Sequence, residues 1–240
     1  MTAILETKIE SNKILLHGVV ALPDQPLGLG VLFLHGGGHS NSERYLKIQE
    51  IMAKSGITTL AFDFRGCGKS EGKFSESSLE NRLEDAGHAL NHFMKSTSFQ
   101  EEQIFLWGSS MGGHIATRLS EKHVNLSGII LQSAAAYGIE VESIPFGPEF
   151  TDKLNELYSW QNSLAFSSFE KFPGRKLVIY GSDDDVIPTE IQEKYQGLAG
   201  IQNVYVLKDG IHSMLRPQNQ TQQQVWGKMI DLSIKFILQK

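Results

Sequence analysis

This sequence predicts an α/β fold: a mostly parallel eight-stranded sheet with helices on both faces and an antiparallel hairpin at the N-terminal end. Three observations carry that expectation. Short, continuous apolar runs such as Gly30–Leu34 recur along the chain, as expected for strands covered on both faces. Stretches of helical length separate these runs, and parallel strands require such crossovers. The first two strand-like segments, by contrast, are separated only by a turn signal.

The hairpin is read from Ile4–Ile9 and Ile14–Ala21, with Ser11-Asn12 as the turn signal. After Pro23-Asp24-Gln25-Pro26 comes the strand Gly30–Leu34, closed by His35 and three glycines. A helical stretch around Glu43–Lys54, a strand Thr58–Phe62, a helix Leu79–Met94 and a strand Ile104–Trp107 follow, and a helix opens near Ser110. Strands at Gly128–Leu131 and Lys176–Tyr180, a helix after Pro188, a strand Val204–Leu207 and an amphipathic helix near Val225–Leu238 complete the alternation. It is interrupted between Ala134 and Arg175. That segment carries Pro145, Pro148 and Pro173 and is rich in aromatics, among them Tyr137, Phe146, Phe150, Tyr158, Trp160, Phe166 and Phe169. It is too long and too apolar for a plain connection. It reads as a small inserted lid, or as a crossover whose aromatics fill the core.

At 240 residues, 40% hydrophobic and 20% charged, the chain suits a single packed domain spanning 1–240. Twenty-two basic against 27 acidic residues give a net charge of −5, and no basic run could track a phosphate backbone, so nucleic acid is not an expected partner. The first residues lack a cationic stretch leading into an apolar one, and no window approaches the roughly 18 apolar residues of a membrane span. A cytoplasmic location with no membrane association is the expectation. Cys67 is the single cysteine and cannot form an internal disulfide.

The chemistry-bearing motif is Gly108-Ser109-Ser110-Met111-Gly112, at the junction of an apolar strand and a helix. A serine hydroxyl is a weak nucleophile that must be exposed beside a base, and Gly-x-Ser-x-Gly in a tight strand-to-helix turn supplies the exposure. Ser110 has the glycine spacing; Ser109 is one place off it. Attack on an acyl carbon develops negative charge on oxygen, which fixed N–H groups stabilise. Two sources are present: the Met111 N–H at a helix N-terminus, and His35-Gly36-Gly37-Gly38 at the end of an earlier strand, with Gly37 the first choice. A base should be one of the eight histidines. An orienting acid is offered by Asp183, Asp184 and Asp185 in the loop after Leu177–Tyr180.

Two other motifs fail. Gly68-Lys69-Ser70 copies the end of a phosphate-binding loop, but Asp63 stands where its first glycine should be. His35 and His39 are four apart but lack the glutamate of a zinc-protease helix and sit in a glycine loop. No metal or cofactor is expected.

Taken together, His35-Gly36-Gly37-Gly38, Asp63-Phe64-Arg65-Gly66-Cys67-Gly68-Lys69-Ser70, Gly108 to Gly112, Gly181 to Pro188 and Gly210-Ile211-His212-Ser213 resemble the α/β-hydrolase superfamily, in that family's order. The likeness is strongest to small carboxylesterases of the cinnamoyl-esterase and lysophospholipase-like kind. It implies the chain order nucleophile, acid, histidine, which sets aside His17, His35, His39, His88 and His92. His114 lies in the helix that opens just past the nucleophile and His123 near that helix's end, leaving His212. The resemblance places the acid at Asp184, three residues after Gly181, and an oxyanion donor at Gly37. It makes Arg65 and Cys67 scaffold. The implied activity is hydrolysis of a carboxylic ester, and the aromatic-rich segment 134–175, expected to line the acyl or alcohol side, favours a small, partly apolar one. Thioester or peptide cleavage are alternatives on the same residues, and a non-catalytic ligand-binding scaffold is a third.

Overall fold

The computed structural model describes residues 2–38 and 40–239. Among these residues, eight strands form one sheet: β1 (Ala3–Ser11), β2 (Ile14–Leu22), β3 (Leu29–Leu34), β4 (Ile57–Phe62), β5 (Ile104–Ser109), β6 (Gly128–Gln132), β7 (Arg175–Asp183) and β8 (Val204–Ile211). Their spatial order is β1-β2-β4-β3-β5-β6-β7-β8. The β1–β2 and β2–β4 pairs are antiparallel, and the remaining pairs are parallel. The hairpin turn falls on Asn12-Lys13, with φ of 44° and 71°, one residue later than Ser11-Asn12. Ser11 is still paired with Ile14, and a two-residue turn with both φ positive matches the twist of the strands it joins.

Seven α-helices cover the sheet: α1 (Leu46–Lys54), α2 (Leu79–Thr97), α3 (Met111–Leu119), α4 (Pro148–Leu154), α5 (Leu164–Lys171), α6 (Thr189–Ala199) and α7 (Gln220–Leu238) among the described residues. Strand β5 shows how the faces divide. Ile104 and Leu106 join a core layer with Leu90 and Phe93 of α2 and Ile115 of α3. Phe105 and Trp107 point the other way, into a layer with Met52 of α1 and Met229 and Ile230 of α7. Side chains alternate along a strand, so a strand with a core on each side must be apolar throughout. Helix α7 begins five residues before the apolar periodicity marks it, because Asn219 accepts the Gln222 N–H at 2.9 Å and caps a first turn of polar residues.

The inserted segment contains α4 and α5. Phe146, Phe150, Phe166 and Phe169 are buried in the layer beneath it, with Tyr137 and Trp160 packed against them, while Tyr158 is half exposed. Its aromatics are thus mostly core. Glu142 ties it to α3, accepting from Arg118 Nε at 2.9 Å and lying 3.1 Å from His114 Nε2. Among the described residues no helix is long and apolar enough to cross a membrane.

Candidate active site

Ser110 occupies the single residue between β5 and α3, with φ of 53° and ψ of −120°. A non-glycine residue pays a steric cost there, and the fold holds it in place from both sides. Its N–H donates to Gln132 O at 3.0 Å, and its carbonyl accepts from Gly113 N at 2.8 Å and Ala135 N at 3.0 Å. The flanking glycines follow from close approach. A Cβ on Gly108 would strike the Gly112 backbone, and one on Gly112 would strike the Leu34 carbonyl. The result is a half-buried hydroxyl at the carboxyl edge of the sheet.

His212 follows the end of β8. Its Nε2 lies 3.0 Å from Ser110 Oγ, and its Nδ1 lies 3.0 and 3.1 Å from the two oxygens of Asp184. A carboxylate on Nδ1 places the ring proton there and leaves Nε2 free to accept from the serine. The Asp184 side chain is fully buried, and its Oδ1 also accepts the N–H groups of Val186 and Ile187 at 3.1 and 3.2 Å. Burial alone would raise the Asp184 pKa. The hydrogen bond and charge of His212 outweigh it and hold the carboxyl below its ordinary value. Asp183 and Asp185 are exposed, and Asp183 accepts from Ser182 Oγ at 2.7 Å. Of the three carboxylates, Asp184 is the one brought to His212.

The remaining candidates are engaged elsewhere. Ser109 is buried and accepts from the Tyr45 hydroxyl at 3.0 Å. His114 is buried against Glu142, and His123 lies 2.6 Å from Glu101. His35 accepts the Phe64 N–H on Nε2 at 3.1 Å, which makes Nδ1 the protonated nitrogen that donates to Gly36 O at 2.8 Å. Burial, then the nearby Arg82 charge, push its pKa well down, so the ring is neutral. His39 lies outside the described residues. Arg65 grips Asp85 of α2 with Nε at 3.0 and 3.1 Å, and Asp63 accepts the N–H groups of Ser42 and Lys69, so this stretch pins β4 to its neighbours.

The glycine loop lies against the nucleophile. A Cβ on Gly36 would meet Ser110 Cβ at 3.2 Å, and one on Gly37 would meet the Met111 side chain at 3.0 Å. The Gly36–Gly37 peptide therefore sits beside Ser110 and the first turn of α3, whose Met111 N–H has no partner within the helix. Beneath this loop is a residue that the sequence reading overlooked. Arg82 is completely buried, and its Nη1 donates to the carbonyls of Gly36 at 2.9 Å and His35 at 3.4 Å. Its spacing held the clue: Leu79, Arg82, Ala86, Ala89 and Phe93 fall on one helical stripe, which puts an arginine on the face turned to the core.

A hydroxyl, an imidazole and a buried carboxylate linked in this way can pass a proton from oxygen to ring, leaving an activated alkoxide beside a cluster of N–H groups. Comparison with known proteins agrees with the fold. The profile of the family described as "Serine aminopeptidase, S33" matches residues 28–168. A multifunctional-autoprocessing repeats-in-toxin protein of Vibrio cholerae is 39% identical over 95 residues, which cover 40% of this chain and 2% of the toxin. The lysophosphatidylserine lipase ABHD12 of Xenopus tropicalis is 25% identical over 185 residues, covering 70% of this chain and 46% of the lipase. The chain thus spans less than half the length of either relative. Among solved structures, Est1E of Butyrivibrio proteoclasticus with ferulic acid bound superposes with a TM-score of 0.74 at 20% identity, covering 97% of this chain and all of that one. With more than half of its length matched by the family profile and the sheet order of such enzymes, the chain belongs to the serine aminopeptidase S33 family of α/β-hydrolases.

Proposed function

We propose that the protein is a serine hydrolase that cleaves a small, partly apolar carboxylic ester through an acyl-enzyme. The observation that carries this reading is the continuous link Ser110 Oγ, His212 and Asp184 at about 3.0 Å per contact, with the serine held at a φ of 53°. His212 takes the Ser110 proton as the oxygen attacks the acyl carbon, and Asp184 stabilises the imidazolium. The N–H groups of Gly37 and Met111 receive the charge that develops on the carbonyl oxygen. The tetrahedral species collapses, with His212 returning its proton to the departing alcohol, and water releases the acid by the same steps in reverse roles.

Two features of the surroundings support a small substrate. The inserted segment leaves the sheet next to Ser110, where Ala134, Ala135 and Ala136 are buried and the Ala135 N–H donates to Ser110 O at 3.0 Å. Beside the glycine loop lies a cavity of about 370 Å³ lined by Gly38, Asn41, Gly66, Cys67, Gly68 and Phe74, which supports room for a compact group of the substrate. Peptide cleavage on the same three residues is the second reading, favoured by the family description. Labelling with a fluorophosphonate tests the nucleophile: the native protein should label and Ser110→Ala should not. A panel of aryl esters, acyl thioesters and aminoacyl anilides separates the readings. Turnover confined to the anilides would overturn the ester assignment.

A further inference from the structure

Arg82 carries a full charge in the interior and makes no ion pair with a carboxylate among the described residues, and removing an ion from water in this way is costly unless other groups replace the solvent. Asp85, the carboxylate on the same helix that acts on it electrostatically, is held instead by Arg65. What surrounds the guanidinium is a set of carbonyls and ring faces. Nη1 donates to Gly36 O and His35 O, Nη2 lies 3.4 Å from Cys67 Sγ, and the rings of Phe64, Phe146 and Phe74 lie 4.6, 5.3 and 5.9 Å from the guanidinium carbon. Phe146 belongs to the inserted segment, so that segment helps to seal the charge in. Nε has no hydrogen-bond partner among the described residues.

The Gly36 carbonyl is the focus of this arrangement. It accepts from Arg82 Nη1 at 2.9 Å on one side and from His35 Nδ1 at 2.8 Å on the other. It also belongs to the same planar unit as the Gly37 N–H, which points the opposite way across a trans peptide. Fixing the oxygen therefore fixes the N–H. Drawing electron density onto the oxygen also makes the N–H a stronger donor, because hydrogen bonds in series polarise one another. Glycines on both sides leave this peptide little stiffness of its own, so without outside anchors it could rotate away.

We propose that Arg82 is a positioning residue, whose guanidinium holds and polarises the Gly36–Gly37 peptide so that the Gly37 N–H stays aimed at the carbonyl oxygen of an acyl group at Ser110. This rests on the serine-hydrolase reading above. Arg82 touches no substrate; it acts through the peptide.

The test compares the native 240-residue chain with Arg82→Met, which keeps the apolar packing and removes both donors, and Arg82→Lys, which keeps one donor within reach of Gly36 O. Six quantities are read: kcat and KM on a p-nitrophenyl ester, the rate of fluorophosphonate labelling, the 15N shift and the hydrogen exchange of the Gly37 amide, and the thermal midpoint. Arg82→Met should lower kcat and the labelling rate roughly ten- to a hundred-fold, below the full loss of an oxyanion donor, with KM little changed. The Gly37 amide should shift and exchange faster, and Arg82→Lys should recover part of each effect. A folded Arg82→Met protein with native kcat and an unmoved Gly37 amide overturns the proposal. If Arg82→Met does not fold, Arg82→Lys decides: native kcat together with a Gly37 amide altered no more than its neighbours overturns it. Failure of the hydrolase reading is seen separately, as equal labelling of native protein and Ser110→Ala. The Gly37 amide comparison needs no turnover and still judges the positioning.

Discussion

Replacing Asp184 by asparagine separates the charge of this carboxylate from its shape. Its Oδ1 accepts the N–H groups of Val186 and Ile187, so the asparagine oxygen is held at that position. The NH2 then falls where Oδ2 was, 3.1 Å from His212 Nδ1. Two donors face each other there unless the ring moves its proton to Nε2, and a ring protonated on Nε2 cannot accept from Ser110. The Oδ1 contact at 3.0 Å still favours the productive tautomer, so the loss has two bounds. If the wrong tautomer wins, kcat falls by about 10⁴, as in serine proteases deprived of this charge; if only the support of the imidazolium is lost, by roughly 10². The barrier rises by about 3 to 5 kcal/mol. The assay is steady-state turnover of a p-nitrophenyl ester, with the thermal midpoint as a folding control. A folded Asp184→Asn protein with kcat within about tenfold of native refutes the reasoning, since general-base assistance alone is worth more than that.

The same substitution has a pH signature. The Asp184 pKa is lowered in the fold, so its ionised form contributes stability that is fully present above the unfolded value of about 3.9 and is lost as pH falls through the lower folded value. In urea unfolding, the native protein's advantage over Asp184→Asn should shrink over that acid window and stay level above it. Ser110→Gly should abolish turnover yet raise stability by about 1 kcal/mol, because glycine tolerates a φ of 53°; an unchanged or lower urea midpoint contradicts strain at this turn. Ser109→Ala removes the 3.0 Å acceptor of the Tyr45 hydroxyl, leaving it the longer contact to Leu34 O at 3.4 Å, and should cost about 1 kcal/mol of stability while kcat stays native. Glu142→Gln weakens the tie between the inserted segment and α3. Burial opposes ionisation of Glu142, but His114 and Arg118 lower its pKa, and Arg118 keeps Glu121 as a second partner. A destabilisation of about 2 kcal/mol follows, present at neutral pH and fading as pH falls through the lowered Glu142 pKa. A pH-independent difference would count against it.

Much of the architecture was legible because it rests on local pattern. Strand β5 is apolar at Ile104, Phe105, Leu106 and Trp107 because both of its faces are covered, and that leaves a signature in the residues themselves. The Gly108 requirement is equally local, since its clash arises where β5 turns into α3, whereas Gly112 is demanded by the Leu34 carbonyl of β3, a tertiary neighbour. The helices of the inserted segment were not legible: α4 and α5 are seven and eight residues long, too short for a periodicity to stand out from a run rich in proline and aromatics.

By itself, then, the sequence determined the strand and helix alternation, the place of Ser110 at an elbow, and the supply of histidines and carboxylates downstream of it. Tertiary structure alone decided which of these meet. Three consecutive aspartates are alike to any local rule, and the irregular pairing of β7 with β8 between Gly181 and Asp183 is what accompanies the turn of Asp184 inward to His212. Arg82 is likewise an ordinary residue of a helix until the glycine loop of β3 is laid over it. Hydrogen bonds act over about 3 Å, and partners 28, 46 and 102 positions apart are brought within that reach only when the sheet is assembled.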